Sequence, residues 1–270
     1  MAVLVTRPHP DNVATAEALR GKGFDVLLAP MLRFEPVAFE DDGALSYDGV
    51  IVTSANALRA IDAYPGKSSW LSLPLFAVGA HTADAARATG FQDIIAGNSG
   101  AAGLPDLIAA HFDDQKKSGN KSRKKSGKTS EKASDTSTPE VLRTLLYLAG
   151  ADRAHDLTDE MDERGFHLVC HTTYAMVPIA RLPAAVCDAF AADDVEAILH
   201  YSRRSARAFV TAARADGVEI SALALPQCCL SESVAAVMRD AGASRVVVAR
   251  NPDEKSMLDA VERALRPQQR

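Results

Sequence analysis

The stretch GVIVTSANALRA at residues 49–60 carries three signals in succession. Gly49 to Val52 is a short apolar run without polar alternation, as in a strand covered on both faces. Thr53, Ser54, Ala55 and Asn56 form a turn of small and hydroxyl side chains. Ala57-Leu58-Arg59-Ala60 then opens a helix, with residues of the N-cap type just before it. The same order returns at residues 197–208, AILHYSRRSARA, where Ser202-Arg203-Arg204-Ser205 takes the place of the turn.

Working outward, each copy is flanked by matching units. VLVTR at 3–7, a helical stretch to Arg20 and GFDVLL at 23–28 correspond to LLYLAG at 145–150, a helix to Arg164 and GFHLV at 165–169. FAVGAHT at 76–82, a helix to Gly90 and DII at 93–95 correspond to CCLSESV at 228–234, a helix to Gly242 and RVV at 245–247. Three βα units thus precede and three follow a Lys/Ser/Thr/Gly-rich stretch, residues 115–139. Alternating strands and alanine-rich helices predict parallel sheets covered on both faces. The fold class read from the residues is α/β, with two Rossmann-like or flavodoxin-like parallel-sheet domains related by duplication. The stretch 115–139 has a lone alanine as its apolar residue and reads as a disordered, solvated insertion.

Composition narrows the function. Of 270 residues 47% are hydrophobic and 24% charged, a globular balance, and no apolar run approaches the ~18–20 residues of a membrane span. The net charge is −5, yet residues 116–132 alone carry +7, so the remainder carries −12. Such an acidic body makes a poor nucleic-acid binder. Cys170, Cys187, Cys228 and Cys229 have no metal spacing and read as reduced thiols, which suits a cytoplasmic location. The seven histidines include one i,i+4 pair, His167 and His171, but it falls in a stretch that reads as strand rather than helix, and no dinucleotide, P-loop or nucleophile-elbow motif is present. Neither a metal nor a cofactor is expected. Open parallel sheets bind ligands beyond the carboxyl ends of their strands. There lie Thr6-Arg7, Thr53 to Asn56, Gly79 to Thr82, Ala149-Gly150, Ser202 to Ser205 and Ser231 to Ser233. Hydroxyl residues in such turns cap helices, but six turns in one chain favour a shared anionic ligand.

VLVTRP at 3–8, FDVLLAPM at 24–31, YDGVIVTSANAL at 47–58, FAVGAHTA at 76–83, LYLAG at 146–150 and the segment from Tyr174 to Pro178, taken in order, resemble the uroporphyrinogen-III synthase family. The resemblance spans nearly the whole chain apart from the insertion. It replaces a simple cut at the insertion with a discontinuous domain, 1–35 plus 178–270, and an inserted domain, 36–177. Two extended crossings, near residues 33–37 and 172–178, would join them, with the ligand in the cleft between.

The implied reaction is that of a lyase in haem biosynthesis. Hydroxymethylbilane loses water, its terminal pyrrole is inverted through a spiro intermediate, and uroporphyrinogen III forms. The resemblance makes Tyr174 the candidate proton donor, since a phenol is still protonated at neutral pH. The substrate-binding candidates are Arg7, Thr53, Ser54, Ala55, Asn56, Gly79, His81, Thr82, Gly150, Arg153, Ser202, Arg203, Ser205 and Ser231. Ser231-Glu232-Ser233 departs from the Gly-Pro-Thr type turn of many relatives, which puts the contact there in doubt. A monomer is expected, in transient contact with the preceding pathway enzyme and with neither nucleic acid nor membrane. The rival reading is a non-catalytic two-domain binding or sensor protein for an anionic small molecule.

Overall fold

The computed structural model describes residues 1–41, 43–97, 100–123, 142–153 and 156–266. In chain order its elements begin with β1 (Ala2–Val5), α1 (Asp11–Gly21), β2 (Asp25–Leu28), β3 (Leu32–Pro36), β4 (Gly49–Val52), α2 (Ala55–Ala60), β5 (Leu75–Val78), α3 (Gly79–Thr89), β6 (Ile94–Gly97) and α4 (Leu104–Arg123). They continue with β7 (Arg143–Gly150), α5 (Thr158–Glu163), β8 (Phe166–Pro178), α6 (Ala184–Ala191), β9 (Val195–His200), α7 (Arg203–Ala215), α8 (Glu219–Ala224), β10 (Gln227–Cys229), α9 (Glu232–Asp240), β11 (Val246–Val248) and α10 (Glu254–Leu265). Two compact units result, one from residues 1–34 with 176–270 and one from residues 35–175. Both boundaries fall inside strands, β3 and β8.

The first unit is a parallel sheet in the order β2-β1-β9-β10-β11. Numbered along its own chain segments this is 2-1-3-4-5, the flavodoxin-like doubly wound order. The second unit runs β8-β7-β4-β5-β6, again parallel, with β3 at the edge beside β8. Its β7 and β8 stand where β1 and β2 stand in the first, so the second unit is the first in circularly permuted form. The duplication legible in sequence is therefore repeated in strand order.

Helices cover both faces of each sheet, which is why the strand interiors are continuously apolar. In the first unit Phe209, Ala212, Val234 and Met238 of α7 and α9 pack on one face, with Cys229. Leu19 of α1 and Met257 and Val261 of α10 pack on the other, with Cys228. In the second unit Ala57, Leu58, Ala83 and Ala86 of α2 and α3 oppose Leu104, Ile108, Phe112 and Met161 of α4 and α5. The first glycine-terminated helix of the second unit, α3, ends on Gly90 at φ +106°, a left-handed cap that a side chain would strain.

Two features differ from the sequence reading. α4 runs on to Arg123, well past 115, where the solvated insertion was expected to begin. A helix nucleated by the apolar 104–112 segment propagates through lysine, glutamine and arginine, which are good helix formers. Residues 124–139 of that expectation lie outside the described residues. The strand at 165–169 and the crossing at 172–178 form one continuous strand, β8, interrupted only by a bulge.

Candidate functional site

In a doubly wound sheet the ligand crevice opens where strand order reverses, between the first and third strands. In the second unit that point lies between β7 and β4, paired in parallel from Gly49–Leu145 to Val52–Leu148. Thr53, Ser54, Ala55 and Asn56 follow β4 directly, and Gly150 ends β7, so adjacency of the two strands brings them together. Ser54 caps α2, its hydroxyl accepting the Asn56 N–H at 3.2 Å.

Tyr174 reaches the same edge through a bulge. Ala149 pairs with Thr172 but Gly150 with Tyr174, leaving Thr173 as the extra residue. Thr173 is buried and donates from Oγ1 to the Ala149 carbonyl at 3.2 Å, while the Thr173 carbonyl accepts the Val37 N–H at 2.8 Å. The slip lays the Tyr174 ring over Gly150. A Cβ at residue 150 would stand 2.7 Å from Tyr174 Cζ and 2.8 Å from its hydroxyl oxygen, so only glycine leaves room.

Beneath this edge is a residue that the sequence reading quoted within LYLAG but did not single out. Tyr147, 3% exposed, holds its hydroxyl 3.2 Å from Thr53 Oγ1. Burial raises the pKa of the Tyr147 phenol, and the Thr53 hydrogen bond opposes the shift. Arg153 is exposed and donates from Nη1 towards Cys170 Sγ at 3.2 Å. Burial raises the Cys170 thiol pKa too, and the Arg153 charge acts against it. Gly79, His81 and Thr82 lie in the first turn of α3, after β5; His81 is exposed, whereas Thr82 is 5% exposed and turned into the protein.

The reversal point of the first unit lies between β1 and β9. Arg7 follows β1, and Ser202, Arg203 and Ser205 follow β9. Ser202 caps α7, accepting the Ser205 N–H at 3.1 Å and donating to the Ser205 hydroxyl at 3.0 Å. Arg203 is exposed on the first turn of that helix. Ser231 stands before α9 with its hydroxyl 3.1 Å from Ser233, and the neighbouring Glu232 pairs with Arg239.

Arg7 is committed to partners within the unit. It donates to Glu254 at 3.0 Å and Asp11 at 3.3 Å, and its guanidinium lies 4.6 Å above the Tyr201 ring. Tyr201 in turn donates to Glu254 at 3.0 Å; burial first, then the Glu254 charge, push the Tyr201 phenol well above the usual range. A substrate carboxylate at Arg7 would have to share the guanidinium with the chain's own carboxylates. Directly under this turn His200 is fully buried, and burial lowers its pKa to about 4 against the opposing Gln227 hydrogen bond. Gln227 donates to the carbonyls of Ala222 and Leu225 at 2.7 and 2.8 Å, which turns its oxygen towards His200 Nε2 at 2.9 Å. The imidazole is thereby fixed as the neutral Nε2–H tautomer.

Among the described residues no cluster of His, Cys, Asp and Glu could hold a metal ion, and no helix is long and apolar enough to cross a membrane. All four cysteines are free thiols. What both reversal points offer is hydroxyls, helix-first-turn amides and a phenol, an equipment for holding carboxylates and passing a proton.

Comparison with known proteins bears on this equipment. The family model described as uroporphyrinogen-III synthase HemD matches residues 13–259. No curated protein sequence matches significantly. Among solved structures, uroporphyrinogen-III synthetase from Helicobacter pylori superposes with a TM-score of 0.61 at 13% identity, over 97% of this chain and 98% of that one. A mutant uroporphyrinogen III synthase from the extremely thermophilic bacterium Thermus thermophilus gives 0.53 at 16% identity, over 98% and 99%. At such identities these two likenesses speak for the fold.

Proposed function

The chain belongs to the uroporphyrinogen-III synthase family, and from that premise we propose that it closes hydroxymethylbilane to uroporphyrinogen III, acting as a lyase. The observation that carries the reading is the family match over residues 13–259, which leaves only short ends uncovered. It favours the enzyme over a non-catalytic binding or sensor protein. In the reaction the hydroxymethyl C–O bond breaks and the hydroxyl leaves as water once it takes up a proton, giving an azafulvene. The terminal pyrrole is inverted through a spiro intermediate before the ring closes.

The chain's own residues divide that work. Tyr174 delivers the proton, its ring steadied on Gly150 by the bulge at Thr173. The turns at Thr53–Asn56, Gly79–Thr82 and Ser202–Ser205 meet acetate and propionate groups with backbone N–H donors, joined at the first of them by the Thr53 and Ser54 hydroxyls, and such donors need no net positive charge. This fits an acidic chain binding a polyanion. Arg153 and Arg203, exposed at the same edges, add guanidinium partners. The protein acts in the cytoplasm as a monomer and receives its unstable substrate through brief contact with the enzyme that makes it. Supplying freshly made hydroxymethylbilane and separating the isomers tests the function. Type III product at a rate set by enzyme concentration is expected; type I alone, at the rate of the blank, overturns the reading.

A further inference from the structure

Tyr147 lies in an apolar cluster with Ile51, Phe76, Leu145, Met161 and Phe166, where phenylalanine would fill the same space. Burying a hydroxyl there costs free energy unless the hydroxyl is bonded. Its bond is to Thr53, across the β7–β4 reversal point and at the start of the turn that caps α2. A phenol has one proton and a threonine hydroxyl has one. If the phenol gives its proton to Thr53 Oγ1, the Thr53 proton is released to point elsewhere, and Thr53 is half-buried rather than sealed. We propose that Tyr147 is a positioning residue: it donates to Thr53 and so fixes Thr53 as an outward hydrogen-bond donor to a substrate carboxylate. Burial raises the pKa of this phenol, so the hydroxyl keeps a proton to donate. The inference rests on the reading of the protein as a uroporphyrinogen-III synthase.

The test is a double-mutant cycle on the full chain, with hydroxymethylbilane as substrate, using Tyr147→Phe, Thr53→Val and their combination, with Thr53→Ser as the conservative control. One neutral hydrogen bond corresponds to about three- to tenfold in binding. Tyr147→Phe should raise KM by that factor with kcat within about twofold, and Thr53→Val should raise it at least as much. The double variant should be no worse than Thr53→Val, since Tyr147 acts only through Thr53. Thr53→Ser, which keeps the hydroxyl, should stay near the wild-type KM. Additive losses, or a Tyr147→Phe protein with a lowered melting midpoint and unchanged KM, overturn the inference while leaving the enzyme reading intact. A wild-type protein without turnover sinks the reading itself and this inference with it.

Discussion

His200 is a fully buried base whose protonation the folded protein resists. Between about pH 6.5, where the unfolded imidazole titrates, and about pH 4, where the folded one does, the unfolded chain binds the extra proton. Stability from this group is therefore complete above that window and is lost as pH falls through it, by about 3 kcal/mol in all. Denaturant unfolding followed from pH 7 to pH 4 should show the decline, and His200→Gln should flatten it; an equal slope in both proteins would clear His200 of the effect. Tyr174 poses a chemical question at the same scale. Tyr174→Phe should fold and bind normally yet lose about 10²–10⁴-fold in turnover, with product drifting towards type I. Gly150→Ala should reproduce part of that loss, because the new methyl stands 2.7 Å from the ring it must displace. Unimpaired type III synthesis in Tyr174→Phe would reduce the tyrosine to packing.

The α7 helix begins on a cap that also belongs to the candidate site. Ser202→Ala removes the acceptor for the Ser205 N–H and should cost about 1 kcal/mol, roughly 2–4 °C in melting midpoint. Ser202→Asp restores a capping oxygen but adds a negative charge at the turn proposed to meet a carboxylate-rich substrate. It should recover the midpoint while weakening KM, whereas recovery of both would show that no substrate carboxylate approaches this turn. α4 makes its core contacts through Leu104, Ile108 and Phe112. Excising residues 124–139 and rejoining the ends should leave activity and midpoint nearly unchanged, and a collapse of soluble yield would show that the segment is structural. Elements like these were legible because strand, hydroxyl turn and glycine-terminated helix each leave a local mark. The end of α4 was not, since helix propagation past an apolar segment overrides a polar composition.

Across the whole molecule, the duplicated strand order could be read from the repeat of units, and the turns of the candidate site follow once the strands are parallel. Partners distant in sequence could not. Glu254 lies 247 positions from the Arg7 it holds, and Tyr147 lies 94 from Thr53, so proximity alone reveals both. A single species of 28.7 kDa is expected in light scattering, with activity indifferent to chelators. Concentration-dependent dimers, or loss of activity on chelation that one metal restores, would revise the site. The placement of the boundaries inside β3 and β8 also orders events in time. β1 pairs with β9, Val3 opposite Ala197, so the strand made first waits at the ribosome for one made nearly 200 residues later. The contiguous unit of residues 35–175 has no such wait and is free to close while synthesis continues. Nascent chains stalled about 40 residues beyond residue 175, so that β8 has cleared the exit tunnel while β9 has not, should therefore protect the inserted unit from protease while residues 1–34 remain open to cleavage, making the opening strands the segment that a chaperone has most reason to hold.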